Sequence, residues 1–102
     1  MHLGETARSL RESFGLTQRA AAERLDISFV HLCNIENGKS NPSPDLLLKF
    51  REAFGVDLYV YAWCREGNSE EIPAGMRDVT RRLTAEWTKL IERRKREFQS
   101  QE

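Results

Sequence analysis

Residues 16–42 read LTQRAAAERLDISFVHLCNIENGKSNP, and this stretch decides the fold. Thr17 offers a hydroxyl for a helix N-cap, and the strong helix formers of residues 18–25 follow it. After a break of two residues, Ser28 offers a second cap for a helix that runs to about Glu36. The stretch therefore predicts two short helices joined by a tight turn.

Amphipathic helices are predicted on both sides of this pair. Upstream, apolar residues from Leu3 to Phe14 recur at intervals of three and four, and Gly15 suits a left-handed helix cap. Downstream, Pro44 occupies the first position of a helix that closes at Gly55. The face of this helix predicted to be buried consists of Leu47, Phe50 and Phe54.

The remaining chain predicts two further helices. Residues 58–63 are rich in aromatic and β-branched side chains, which favour a strand. Because four predicted helices precede this segment, we predict that it forms a fifth helix. Residues 66–72 form a polar linker, and Pro73 opens a long helix. The apolar stripe of this helix consists of Met76, Val79, Leu83, Trp87, Leu90 and Phe98.

The predicted organisation is all-α. Residues 1–65 form a five-helix domain, residues 66–72 a linker, and residues 73–102 a long C-terminal amphipathic helix. With 102 residues, 39% hydrophobic and 31% charged, the chain has the size and composition of one globular domain, which argues against a large multi-step enzyme. No apolar run is long enough to cross a bilayer and the amino terminus lacks a secretory pattern, so we expect a cytoplasmic protein that contacts no membrane.

The charge is balanced overall but unevenly distributed. The formal net charge is zero, whereas residues 73–102 carry eight basic and five acidic side chains. Neither Cys33 and Cys64 nor His2 and His31 have metal-ligand spacing, and we interpret the thiols as small buried or idle side chains. No nucleophile, base and orienting group form a recognisable set, so we predict no catalytic role and no cofactor or metal.

The pair of short helices and its flanks resemble the phage-repressor and Cro type of helix-turn-helix, also called the XRE type. The likeness extends without gaps from Leu3 to Trp63, and it implies a five-helix, lambda-repressor-like domain that binds double-stranded DNA. The residues that carry it are Leu16-Thr17-Gln18, Ala22, Leu25, Ile27, Ser28, Leu32, Ile35-Glu36-Asn37-Gly38-Lys39 and Pro42.

The resemblance implies that the third helix enters the major groove, where Phe29, Val30 and Asn34 read the bases. Asn34 suits a bidentate bond with adenine, and the other two offer only apolar contact, most simply with thymine methyl groups. The residues implied to contact phosphates are Gln18, Ser28, His31, Asn37, Lys39, Ser40 and Asn41. His31 could instead lie close to a base, or its side chain could simply be solvated.

Two features depart from the family pattern. Members often place glutamine, serine or arginine where this chain has Phe29 and Val30, so these two residues either read an A·T-rich operator or form an apolar patch that binds protein. Asp26 stands where members usually have glycine, and aspartate tolerates the left-handed conformation better than most residues.

The resemblance also implies an ion pair between Arg11 and Glu36, which would join the first helix to the end of the third; two separate surface charges are the alternative. A single domain contacts one half-site, so we expect a homodimer on an inverted repeat. The apolar stripe of the long helix is buried against the fifth helix of its own chain, against the same helix of a partner, or against both. The candidate dimer residues are Trp63, Met76, Val79, Leu83, Trp87 and Leu90. The basic run Arg93-Arg94-Lys95-Arg96 either follows a DNA backbone or simply faces water.

These expectations describe a transcriptional regulator, most simply a repressor. One alternative is an antitoxin or adaptor that uses the long helix or the apolar patch to bind a protein partner, with DNA binding secondary. A subunit of a nucleic-acid enzyme or a controller of a restriction system is another alternative.

Overall fold

The computed structural model describes residues 3–66 and 74–100, and every element in these ranges is helical. The elements are α1 (Leu3–Ser13), α2 (Gln18–Leu25), α3 (Phe29–Glu36), α4 (Pro44–Phe54), α5 (Leu58–Glu66), a 3₁₀ turn (Ala74–Met76) and α6 (Arg77–Ser100). The all-α prediction is therefore confirmed, including the helical interpretation of residues 58–63. Glu66 ends α5, and the rest of the predicted linker lies outside the described residues together with Pro73.

Side-chain hydroxyls begin three of the helices. Those of Thr17, Ser28 and Ser43 each accept a hydrogen bond from the backbone N–H three residues further on, at 3.0 to 3.2 Å. Asp26 ends α2 at φ 55°, and it is the non-glycine residue with positive φ among those described. The turn between α2 and α3 is thus held in a left-handed conformation that aspartate adopts at modest cost.

The first five helices bury a common core. Leu10, Leu25, Leu32, Ile35 and Phe50 are almost completely buried, and Ala22 of α2 is buried as well.

The predicted inner face of α4 needs one correction. Leu46 is buried there and Leu47 only partly, because Leu46, Phe50 and Phe54 form a continuous row at four-residue spacing.

The second half of α6 belongs to the same core. Ile91 and Phe98 are buried, and the Phe98 ring lies 5.2 Å from the ring centroid of Phe14 and 6.1 Å from that of Phe54. Ile91 was absent from the predicted stripe, which assumed a single buried face. Because α6 packs against both α4 and α5, its contact face turns along its length.

The first half of α6 leaves its apolar stripe open. Met76, Val79 and Leu83 are 53%, 57% and 44% exposed, whereas Trp87 and Leu90 are partly buried. Trp63 of α5 packs beside them and donates its indole N–H to Thr84 Oγ1 at 2.9 Å. Part of the predicted stripe is therefore covered by the chain's own α5, and part faces solvent.

Candidate nucleic-acid interface

The two faces of α3 differ sharply in burial. Leu32 and Ile35 lie on the inner face at 1% and 0% exposure, against α1 and α2. On the outer face Val30 is 64% exposed, His31 is exposed, and Asn34 is half-buried. A short rod packed on one side thus presents its other side to solvent, as entry into a DNA groove requires.

A buried carboxylate joins α3 to α1. The Glu36 side chain has no exposed surface, and its Oε2 accepts from Arg11 Nε at 2.8 Å while its Oε1 accepts from Arg11 Nη2 at 3.1 Å. Arg11 Nη1 also donates to the Leu16 carbonyl at 2.8 Å. The structure therefore brings Arg11 and Glu36 together as a bidentate pair that ties α1, the following loop and α3 to one another.

Gln18 is a further partner of this carboxylate. Its Nε2 donates to Glu36 Oε1 at 3.1 Å, and its Oε1 lies 3.5 Å from the Cys33 Sγ donor. Both ends of the Gln18 amide are thus engaged inside the helix-turn-helix, which leaves its backbone at the start of α2 as the group best placed for a phosphate.

Arg8 lies over the end of α3, a position that the sequence analysis missed. Its Nη2 donates to Asn37 Oδ1 at 3.0 Å, and its Nε lies 3.5 Å from Glu36 Oε1. The predicted phosphate ligand Asn37 is exposed but already accepts this bond, so its amide nitrogen is the group available to an outside acceptor.

The turn after α3 is polar and largely open. Lys39 and Asn41 are exposed and Ser40 is half-buried. The backbone N–H groups of Lys39 and Ser40 donate to the Asn34 carbonyl at 2.8 and 3.2 Å, which fixes the turn against the helix. At the other end of α3, Ser28 is exposed and its hydroxyl oxygen caps the helix.

Phe29 does not stand alone at the start of α3. The guanidinium carbon of Arg19, on α2, lies 4.4 Å from the centroid of the Phe29 ring in a cation–π contact. Arg19 is exposed and was absent from the predicted site. No helical period links positions 19 and 29, so only the packing of α2 against α3 reveals the contact.

The basic run of α6 is partly neutralised within its own helix. Arg93 and Arg94 lie 4.0 and 3.2 Å from Glu97, and Lys95 lies 3.3 Å from Glu92. These pairs lie within α6 and stabilise the helix; Arg93 and Arg96 are exposed, whereas the side chains of Arg94 and Lys95 are partly covered by the protein.

Both thiols are free and half-buried. Burial raises the pKa of the Cys64 thiol, and a hydrogen bond with Thr88 opposes this only in part.

Within residues 3–66 and 74–100, no cluster of His, Cys, Asp or Glu could hold a metal ion. Among the same residues, no helix is both long enough and apolar enough to cross a membrane.

An exposed α3 braced by α1 and α2 defines a DNA-binding helix-turn-helix protein. A family model described as helix-turn-helix matches residues 8–60, which is more than half of the chain. The chain therefore belongs to the XRE-type helix-turn-helix family of DNA-binding transcriptional regulators.

Curated relatives carry the names of regulators rather than enzymes. The chain is 38% identical over 58 residues to the propionyl-CoA carboxylase regulator of Cereibacter sphaeroides, covering 57% of this chain and 13% of that protein. It is 38% identical over 56 residues to the HTH-type transcriptional regulator ImmR of Bacillus subtilis, covering 55% and 44%.

A third relative, the HTH-type transcriptional regulator RamB of Mycobacterium tuberculosis, is 33% identical over 79 residues, covering 78% of this chain and 16% of that protein. The chain thus spans less than half the length of each of these relatives. No solved structure matches it significantly.

Proposed function

We propose that this protein is a sequence-specific repressor that binds an inverted-repeat operator as a homodimer, with one α3 in the major groove of each half-site. The observation that carries the proposal is the exposed outer face of α3, held at a fixed angle by the buried Glu36 and its partners. An outer face that presents Val30 beside the polar His31 and Asn34 suits a groove lined by base edges and methyl groups.

Three side chains supply the proposed base contacts. Asn34 pairs with adenine through its amide, and Val30 contacts a thymine methyl group. Phe29 acts together with Arg19, since the cation–π contact holds the guanidinium over the ring at the start of α3. Arg19 thereby adds a charged contact to a phosphate or a guanine beside an otherwise apolar pair.

Backbone and polar groups at both ends of α3 supply the proposed phosphate contacts. Ser28 and His31 lie at its start, and Lys39, Ser40 and Asn41 lie in the turn that follows it. The side-chain amide of Asn37 and the start of α2 at Gln18 complete the set. With a net charge of zero over the chain, this local set rather than the overall charge provides the electrostatic attraction to DNA.

A selection of random duplex oligonucleotides by the purified protein at low salt tests the proposal. We expect an enriched inverted repeat with A·T pairs in each half-site. On that duplex, Asn34→Ala should relax the preference at one base pair, whereas Lys39→Ala should weaken binding to all sequences alike and reduce the salt dependence by about one phosphate contact.

Arg51→Ala is the control for Lys39→Ala, because Arg51 is an exposed cation on α4, outside α2, α3 and the turns that flank them. It should leave both the preference and the salt dependence of binding unchanged. Absence of any enriched sequence, or equal effects of Asn34→Ala on all duplexes, contradicts the proposed role of α3.

A further inference from the structure

The exposed apolar stripe of α6 has a symmetric spacing. Val79 and Trp87 lie four residues on either side of Leu83, and Met76 and Leu90 lie seven residues on either side. At 3.6 residues per turn Val79, Leu83, Trp87 and Leu90 share one face of α6, and Met76, in the 3₁₀ turn just before the helix, lines the same groove. Met76, Val79 and Leu83 are exposed, whereas Trp87 and Leu90 are partly buried. A second copy of the same helix, running in the opposite direction, would therefore set Val79 against Trp87 and Met76 against Leu90, with Leu83 at the centre.

A row of charges follows one edge of this stripe. Asp78, Arg82, Glu86 and Lys89 succeed one another at intervals of four, four and three residues and alternate in sign. All four are exposed. The side chains of Asp78, Glu86 and Lys89 are 82%, 71% and 74% exposed in the ion pairs they make within α6, so those pairs are weak and free to exchange.

The order of these charges distinguishes the two possible directions of pairing. In an antiparallel pair centred on Leu83, Glu86 comes within about 3 Å, along the helix axis, of the partner's Arg82. Asp78 likewise comes close to the partner's Lys89. A parallel two-fold pair would instead place the charged row of each subunit against the α5 edge of its partner, so the two rows would not meet. The row is therefore complementary to itself only in the antiparallel direction.

The opposite edge of the stripe belongs to α5. Trp63 bonds Thr84 there, and Cys64 bonds Thr88, so α5 lies away from the charged row. Tyr59, Val60 and Trp63 continue the apolar surface from α6 onto α5 as a shallow groove. One edge of the α6 stripe is thus lined by charged side chains, and the other edge continues into the apolar surface of α5. An apolar centre with a charged rim is typical of protein interfaces.

We infer that the stripe binds the same stripe of a second copy of this chain, with the two α6 helices antiparallel and the molecular two-fold axis passing beside Leu83. This inference deepens the homodimer of the proposed function and rests on it. The pairing is isologous, because every contact made by one subunit is repeated by the other.

Cysteine cross-linking tests the register in the full-length chain, with Cys33 and Cys64 replaced by serine. Leu83→Cys should give a covalent dimer with oxidised glutathione, because the two copies of position 83 face each other across the axis. Val79→Cys alone should not, since its two copies lie about 12 Å apart along the helices. A mixture of the Val79→Cys and Trp87→Cys variants should form a cross-linked heterodimer, because the antiparallel register sets position 79 against position 87 of the partner.

Charge reversal tests the antiparallel direction in the unmodified chain. Glu86→Arg should raise the dimer dissociation constant at least tenfold, on the order expected for a like-charge contact at an interface, and adding Arg82→Glu should restore it. Glu92→Arg is the matched control, because Glu92 is exposed on the side of α6 opposite Leu83 and pairs with Lys95, outside the charged row, and it should leave dimerisation unchanged. Circular dichroism checks that every variant is folded.

Several outcomes overturn the inference: a monomeric wild-type chain in sedimentation, cross-linking of Val79→Cys to itself as efficient as that of Leu83→Cys, or no rescue by the double reversal. Capture of a different protein on the stripe in place of a second copy also overturns it. Single half-site duplexes separate this from the proposed function, because a subunit that fails to dimerise should still show the same base preference on a half-site.

Discussion

At the scale of single residues, Glu36 is the group on which the geometry of the interface depends. A carboxylate without exposed surface is expensive unless it is fully bonded, and Arg11, Gln18 and Arg8 surround it. Arg11 is itself mostly buried, whereas Arg8 remains 44% exposed. The two arginines therefore differ in how much their loss should cost.

Arg11→Ala should lower the free energy of unfolding by about 3 kcal/mol or more, because it leaves a buried charge without its bidentate partner. Arg8→Ala, which removes a longer and more exposed contact to the same carboxylate, should cost less than about 1 kcal/mol. Urea denaturation monitored by circular dichroism gives both values. If the two variants lost the same free energy of unfolding, the bidentate pair would stabilise the fold no more than the longer contact of Arg8 does.

Val30 tests the proposed apolar reading of the groove. On the selected operator, replacement of its contacted thymine by deoxyuridine removes one methyl group and should weaken binding by about 1 kcal/mol. The same replacement should have no effect on Val30→Ala, whose shortened side chain no longer reaches the methyl group. Fluorescence anisotropy of the four combinations measures the coupling, and additive losses would exclude this contact.

At the scale of helices, α1 approaches α3 so closely that only glycine fits at one position. A Cβ atom at Gly4 would collide with the backbone carbonyl of Ile35, and backbone does not yield as a side chain does. The close approach explains how Arg8 and Arg11 reach the end of α3 from the same helix.

Gly4→Ala should therefore destabilise the protein by about 1 kcal/mol or more, although alanine is the better helix former by a similar amount. Gly75→Ala is the control, because a Cβ atom there meets nothing within 4 Å. Thermal unfolding should show a lower midpoint for the first variant and an unchanged or higher one for the second. A stabilised Gly4→Ala variant would mean that α1 and α3 are further apart.

Local signals in the sequence were sufficient for the helices of the first domain, because hydroxyl caps and glycine ends act within one turn. They were insufficient where a side chain meets another element. Leu46 and Leu47 are adjacent leucines, and which of the two is buried depends on how α4 is rotated about its axis against the helices it packs on. Ile91 and the Arg19–Phe29 contact were missed for the same reason, and the engagement of Gln18 with Glu36 depends on the folded geometry.

At the scale of the whole molecule, α6 is bound into the domain at its far end. Phe98 completes an aromatic cluster with Phe14 and Phe54, and the Arg24 guanidinium lies 4.3 Å from the Phe98 ring centroid. Removing α6 would therefore expose the core that it shares with α1 to α5. Point variants of the intact chain are a cleaner test of dimerisation than a chain ending at Glu66.

Phe98→Ala should lower the free energy of unfolding by about 3 to 5 kcal/mol, as for a buried aromatic elsewhere. The neighbouring exposed Gln99→Ala should change it by less than about 0.5 kcal/mol. Tryptophan fluorescence from Trp63 and Trp87 and far-ultraviolet circular dichroism should give coincident transitions if α6 and the domain unfold together. Separate transitions would show that α6 is an independent unit.

The exposed Val30 has a consequence for how such a regulator would respond to modified DNA. A hydrocarbon side chain in the major groove senses a methyl group and carries no hydrogen-bonding group with which to identify the base beneath it. Cytosine methylated at C5 displays a methyl group where thymine does. At the position that Val30 is proposed to contact, enzymatic methylation of a cytosine should therefore imitate a thymine, so that the host's methylation pattern becomes part of the operator's sequence.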